Sequence, residues 1–213
     1  MSISLGVLFA LGALIFWGLG DFLIQRSTRK VGNWETLFII TLFGTVILIP
    51  FIYKDLYSLL SFQDKSFLIL LVVSIILLVA SLFDFAALKK GKLVIIEPLL
   101  ALEVPIASIF AFLIIKETIE LTQVIIITIL IIGIILVSIK GHHLKRKKWI
   151  EKGVLLAVVG AIFMGASNFF VGFASRITNP LLTNWFINFF IAAVCLFYLI
   201  YKKRLMNTMN LFK

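Results

Sequence analysis

The chain has 213 residues, 62% of them hydrophobic and only 14% charged, with a formal net charge of +10 and a mean hydropathy of +1.16. That balance excludes an ordinary soluble domain, because lipid is the natural solvent for most of the chain. It also argues against nucleic acid as a partner: the basic residues abut long apolar runs, and no aromatic-interleaved basic domain exists,. Cys195 is the single cysteine, so neither an internal disulfide nor a thiolate metal cluster is expected,.

A hydrocarbon core about 30 Å thick requires roughly 20 mostly apolar residues per helix. The polar breaks leave seven such segments, near residues 4–25, 34–53, 66–88, 93–115, 121–139, 153–175 and 180–201. They are long and continuous, unlike the roughly ten-residue alternating strands of a membrane barrel. The expected fold is therefore an all-α integral membrane protein of about seven transmembrane helices.

Span one holds GVLFALGALIFWGLGDF at 6–22, with Trp17 one turn before Asp21, where it can stack on a substrate or pack against lipid,. No positive n-region or small-residue cleavage site marks it as a removable signal, so it is expected to be retained,. Trp34 and Tyr53 flank span two as interfacial aromatics,. Span three carries Asp84 near its end, and span four contains EPLLALEVP, with Glu97, Pro98, Glu103 and Pro105. Each proline removes a backbone donor and frees the carbonyl four residues earlier, that of Val94 or Ala101,. Such backbone is tolerated at membrane depth where it is buried in protein or lines a wet cavity. Pro98 and Pro105 therefore make span four the best candidate to line a path, a kinked packing helix being the alternative.

An ionisable group inside a span costs about 2.5 to 3.5 kcal/mol at the helix centre on insertion scales, so intramembrane acids demand a function or a partner. Asp21, Asp84 and Glu97 fall on the same, basic side of the membrane. They either pair with Arg26, Lys89, Lys90 and Lys92 or belong to a substrate path. Glu103 lies about eleven residues into span four, close to mid-membrane at about 1.5 Å per residue. With no basic residue one turn away, it is expected to face a cavity or carry a proton, and it is the leading candidate for a proton-linked group, a hydrogen-bonded packing role being the alternative.

After span five comes KGHHLKRKKWIEK at 140–152, and then GVLLAVVGAIFMGASNF at 153–169, which repeats the beginning of the chain. Residues 1–140 read as a first unit of five helices, 141–152 as a basic linker, and 153–213 as the first two helices of a second unit. Five is odd, so span six runs antiparallel to span one, and an inverted repeat of this kind points to transport. Gly153, Ala157, Ala161 and Gly165 form a small-residue stripe whose register in the first copy is Gly6, Ala10, Leu14 and Gly18, a face expected to pack helices closely,. Asn168 takes the place of Asp21, either as interhelical glue or as a substrate contact.

With the N-terminus outside, 16 of the 20 Lys and Arg residues lie on the inner side, and only Lys54, Lys65, Lys116 and Arg176 on the other. The positive-inside rule then puts the C-terminus in the cytoplasm of a multi-pass cell-membrane protein. Enzyme chemistry finds no constellation. His142 and His143 are adjacent in the basic loop, so no intramembrane metal site, nucleophile–base pair or cofactor is expected,.

The order of these features resembles the drug/metabolite transporter superfamily, in particular its EamA-like domain. FWGLGDFLIQRSTRKVG is similar to the family's first helix and positive loop, and Ala87, Leu88, Gly91, Pro98, Pro105 and Glu117 occupy the places of its third-to-fourth helix pattern. GIILVS at 133–138 resembles the end of its fifth helix. The resemblance implies ten helices in two inverted halves and alternating-access transport of small metabolites or drugs, including amino-acid export. This chain stops after the second helix of its second half. That leaves a fragment, a decayed copy, or a subunit completed by a homodimer or partner chain, with a non-transporting membrane scaffold as the alternative function. The expected partners are thus the lipid bilayer, a small-molecule substrate and a second chain.

Overall fold

The computed structural model describes residues 5–56, 64–141 and 148–205. They form helices α1 (Leu5–Lys30), α2 (Asn33–Ile52), α3 (Asp64–Lys90), α4 (Leu93–Leu100), α5 (Glu103–Ile115), α6 (Leu121–Gly141), α7 (Lys148–Ile177) and α8 (Pro180–Tyr201). No strand occurs among the described residues; His142 and His143 lie outside them. Six stretches are long and apolar enough to cross a bilayer, Leu93–Ile115 counting as one, and α6 adds the shorter apolar segment Leu121–Ile134. The chain is a multi-pass, all-α integral membrane protein.

Local chemistry sets the helix ends. Asn179 caps α8 by accepting the Leu181 N–H at 2.9 Å, and Pro180 follows in the first turn, where its missing donor is harmless,. Gly32 adopts φ 122° between α1 and α2, a conformation open to glycine,. The hydroxyls of Thr41, Thr45 and Ser74 are buried but bond the carbonyl four residues back in their own helices, so these three groups are satisfied without water,.

Contacts at the helix ends thread the bundle. Gln25 Nε2 donates to the Leu88 carbonyl at 3.0 Å and the Gly91 carbonyl at 3.3 Å, and Arg29 Nη2 to the Gly91 carbonyl at 2.6 Å. The end of α1 thus satisfies carbonyls that the end of α3 leaves open. A Cβ at Gly153 would lie 3.0 Å from Gly91 Cα, so the start of α7 meets the same turn. Arg204, just beyond α8, pairs with the buried Glu35 of α2 at 2.9 Å. All these ends are together, and at the opposite end Asn179 Nδ2 donates to Asp55 Oδ2 at 3.4 Å. It follows that α1 and α7 run antiparallel.

The most extensive packing joins α3 to α7, and α2 pairs with α8. One core cluster sets Leu70, Val73 and Phe85 of α3 against Phe186, Ile191 and Cys195 of α8, while a second joins Ala87 and Leu88 to Ile96, Leu99 and Ala157. Trp34 stacks on Tyr198 with ring centroids 4.1 Å apart. By contrast, α1 packs mainly on α3 and α2 and presents Phe9, Phe16 and Leu19 outward.

Span four is interrupted by one tighter turn whose residues, Ala101 and Leu102, keep right-handed helical dihedrals. It breaks at Ala101 and Leu102 into α4 and α5. Pro105 cannot bond the Ala101 carbonyl, which instead accepts from the Val104 N–H at 3.3 Å in a tighter turn,. The helix restarts at Glu103, placing Pro105 in a first turn that tolerates it,.

Candidate functional site

Beside the break in span four lies a cavity of about 210 Å³. Trp17 and Asp21 reach it from α1, Asp84 from α3, Glu97 from α4, Glu103 from the first turn of α5, and Asn168 from α7. All six residues named from sequence as path or proton candidates line this one space. Leu100, Ala101 and Met164 complete the wall. Pro98 and Pro105, expected to line the path, do not touch the cavity. They flank the break, and Leu100, Ala101 and Glu103 between them contribute to the lining.

The acids are not neutralised by nearby basic side chains. Arg26, Lys89, Lys90 and Lys92 are exposed, and no ion pair joins them to Asp21, Asp84 or Glu97 among the described residues. Arg29 instead directs its donors to the carbonyls of Lys89 and Gly91. Asp84 Oδ1 and Glu97 Oε1 are buried without any hydrogen-bond partner. Glu103 shares the cavity with one neutral polar side chain, that of Asn168. Its place in the first turn of α5 also sets it where backbone N–H groups favour negative charge,.

Close packing holds the break in place. A Cβ at Gly165 would lie 2.6 Å from Ile106 Cγ2 and 2.8 Å from the Glu103 carbonyl oxygen, so only glycine lets α5 approach α7 this closely. Gly153, Ala157 and Ala161 are likewise buried. The first copy of the stripe differs. Gly6 is exposed and Gly18 has nothing within 4 Å, so the shared register is not a shared contact in this chain; the Ala10 side chain lies outside the described residues.

Residues 4–139 match the EamA-like transporter family. The chain belongs to that family. It is also 32% identical, over 141 residues, to an uncharacterized protein of Methanocaldococcus jannaschii, covering 66% of this chain and 98% of the relative. No solved structure matches. EamA-like membership points to a membrane transporter of small molecules and fits a protein that is not an enzyme.

One part of this EamA-like site was not read from sequence. A groove of about 270 Å³ between α5 and α7 includes Ser108, Glu117, Asn168, Gly172 and Arg176, and so adjoins the acidic cavity through Asn168. The signal was present: Asn168, Gly172 and Arg176 are spaced four apart and share a face of α7,. The groove leads from the cavity toward the end of the bundle where α5 and α7 finish.

Proposed function

We propose that the protein carries small molecules across the membrane by alternating access, coupled to protons. The cavity at the break in span four is its binding site, and Glu103 its principal proton-linked group. The observation that supports this reading most directly is the meeting of Asp21, Asp84, Glu97 and Glu103 in one cavity without a basic neighbour. Discontinuous helices with polar groups near mid-membrane are where secondary transporters bind their cargo. The antiparallel course of α1 and α7, which share a sequence pattern, supports an inverted repeat of a first unit at 1–140 and a second from 153, joined by the 141–152 linker. The basic end, holding Arg29, Lys89 and Arg204, would face the cytoplasm under the positive-inside rule,.

The test uses proteoliposomes with an imposed pH gradient, a mixed extract of small metabolites outside, and mass spectrometry of the lumen. At least one compound should accumulate with the wild-type chain and lose its dependence on the gradient in Glu103→Gln. Gradient-dependent accumulation unchanged in that variant would remove Glu103 from the coupling. A second reading, a non-transporting scaffold or a subunit assembled with another chain, is favoured by the uncovered face of α1 on which Phe9 and Phe16, two turns apart, are exposed. It predicts no accumulation of any compound.

A further inference from the structure

The cavity poses a problem of charge and of hydrogen bonding together. It is lined by Asp21, Asp84, Glu97 and Glu103, and neither Lys, Arg nor His is among its lining residues. Ionised carboxyls in a medium of low dielectric need compensating positive charge, and here it has to come from outside the protein. Two of the oxygens, Asp84 Oδ1 and Glu97 Oε1, are also buried acceptors without donors, and a buried polar atom left unpaired is costly. A proton meets the first need at one carboxyl. A cargo that brings both charge and donors meets both needs.

Resting on the transport reading of this site, we infer that the cavity selects small amines bearing N–H groups, held as ammonium ions whose hydrogens are donated to Asp84 and Glu97. Three features narrow the class. No set of three or more acidic, His or Cys side chains among the described residues is arranged to hold a metal ion, so the carboxyls suit an extended organic cation better than a chelated one,. The wall includes Trp17, Leu100 and Met164, which suit a hydrocarbon stem, with the indole able to face a cation,. A volume of about 210 Å³ is below the roughly 300 to 1,000 Å³ of sites for drug-sized ligands, so the amine is small. A quaternary ammonium has charge but no N–H, and would leave both orphan oxygens unpaired.

Every charged group facing the cavity is acidic: Asp21 from α1, Asp84 from α3, Glu97 from α4 and Glu103 from α5, while α7 contributes the neutral Asn168. Amine and proton therefore compete. Binding should weaken as the pH falls, by up to about tenfold per unit when one proton is displaced, since an alkylamine stays charged throughout the neutral range.

The experiment is calorimetric titration of the purified full chain in detergent at pH 8 and pH 6, with three probes that share a four-carbon stem. These are butylamine, butyltrimethylammonium for charge without donors, and 1-butanol for neither. Butylamine should bind at least tenfold more tightly than either control at pH 8 and lose affinity at pH 6. Asp84→Asn, and separately Glu97→Gln, should lower its affinity at least tenfold while the thermal midpoint holds or rises, because each relieves repulsion among the acids. If one variant does not fold, the other decides. Butyltrimethylammonium binding as tightly as butylamine, or no butylamine binding by folded protein, overturns the inference. The transport reading fails separately, by the absence of any accumulation from the metabolite extract. Accumulation of a compound without an amine would sink this inference and leave transport standing.

Discussion

Helices α1 and α7 carry related sequences and meet opposite surroundings. In α7, Gly153, Ala157, Ala161 and Gly165 are all buried, and Gly165 brings the Glu103 carbonyl to a distance that would be 2.8 Å from a Cβ. In α1, the equivalent Gly18 faces open space, and Phe16 and Trp17 around it are exposed. The polar positions differ in the same sense. Asn168 adds a neutral amide to the cavity, whereas Asp21 adds a fourth carboxyl. A small residue in a membrane helix is thus permission for close approach, and a neighbour has to use it. In this chain α7 is the scaffold that positions the break, and α1 is a loosely held wall of the same cavity.

The largest effect should come from Gly165→Ala. The new methyl group would meet Ile106 Cγ2 and Cβ at 2.6 and 2.7 Å as well as the Glu103 carbonyl oxygen, and the backbone atom has no rotamer by which to yield. Overpacking of this kind costs typically 1 to 3 kcal/mol. We expect a clear fall in thermal midpoint in detergent and loss of transport, because α5 and Glu103 must move away from α7. An unchanged midpoint would mean that α7 does not set the position of the break.

Much of this architecture was legible in the sequence. Lipid requires long apolar helices, so the spans could be read from where polar residues interrupt them, and an acid inside a span advertises itself by its cost. That Asp21, Asp84, Glu97 and Glu103 share a cavity was harder to see, because Asp21 and Asp84 are 63 positions apart and only the packing of α1 on α3 brings them together. The break at Ala101 and Leu102 was also hidden. Two prolines announce irregular backbone, but whether the helix bends or stops depends on where the freed carbonyl finds a donor, here Val104. Least legible was the difference between the two glycine stripes. Periodicity places Gly18 and Gly165 at matching positions, and only the neighbours distinguish them.

A second, smaller effect should follow from making α7 more like α1. Asn168→Asp replaces a neutral amide with a further carboxyl in a cavity that has no basic side chain in its lining. The new like-charge repulsion should lower stability at pH 8. The sign of the pH dependence is fixed by the charge. Protonation toward pH 5 removes the new charge, so the deficit relative to wild type should shrink as the pH falls. Thermal melts of both proteins across that range measure it, and a deficit that grows toward pH 5 would contradict an electrostatic origin.

The smallest effect, and the sharpest test of the asymmetry, is Gly18→Ala. Nothing lies within 4 Å of a Cβ at this position, and α1 is helical on both sides of it. Alanine should therefore be accepted without strain. Its better helix propensity, at most about 1 kcal/mol, sets the ceiling of any gain in thermal midpoint. Transport by the variant should match wild type. A loss of stability or of transport comparable to that of Gly165→Ala would require something to be seated on this face of α1 in the membrane, and gel filtration or crosslinking of wild type against variant would then distinguish a second chain from a local effect on Asp21. Because Gly18 adjoins Trp17 in sequence and lies one turn before Asp21, both on the wall of the cavity, such a result would also mean that the cavity is closed on its α1 side by a contact that a single chain does not make.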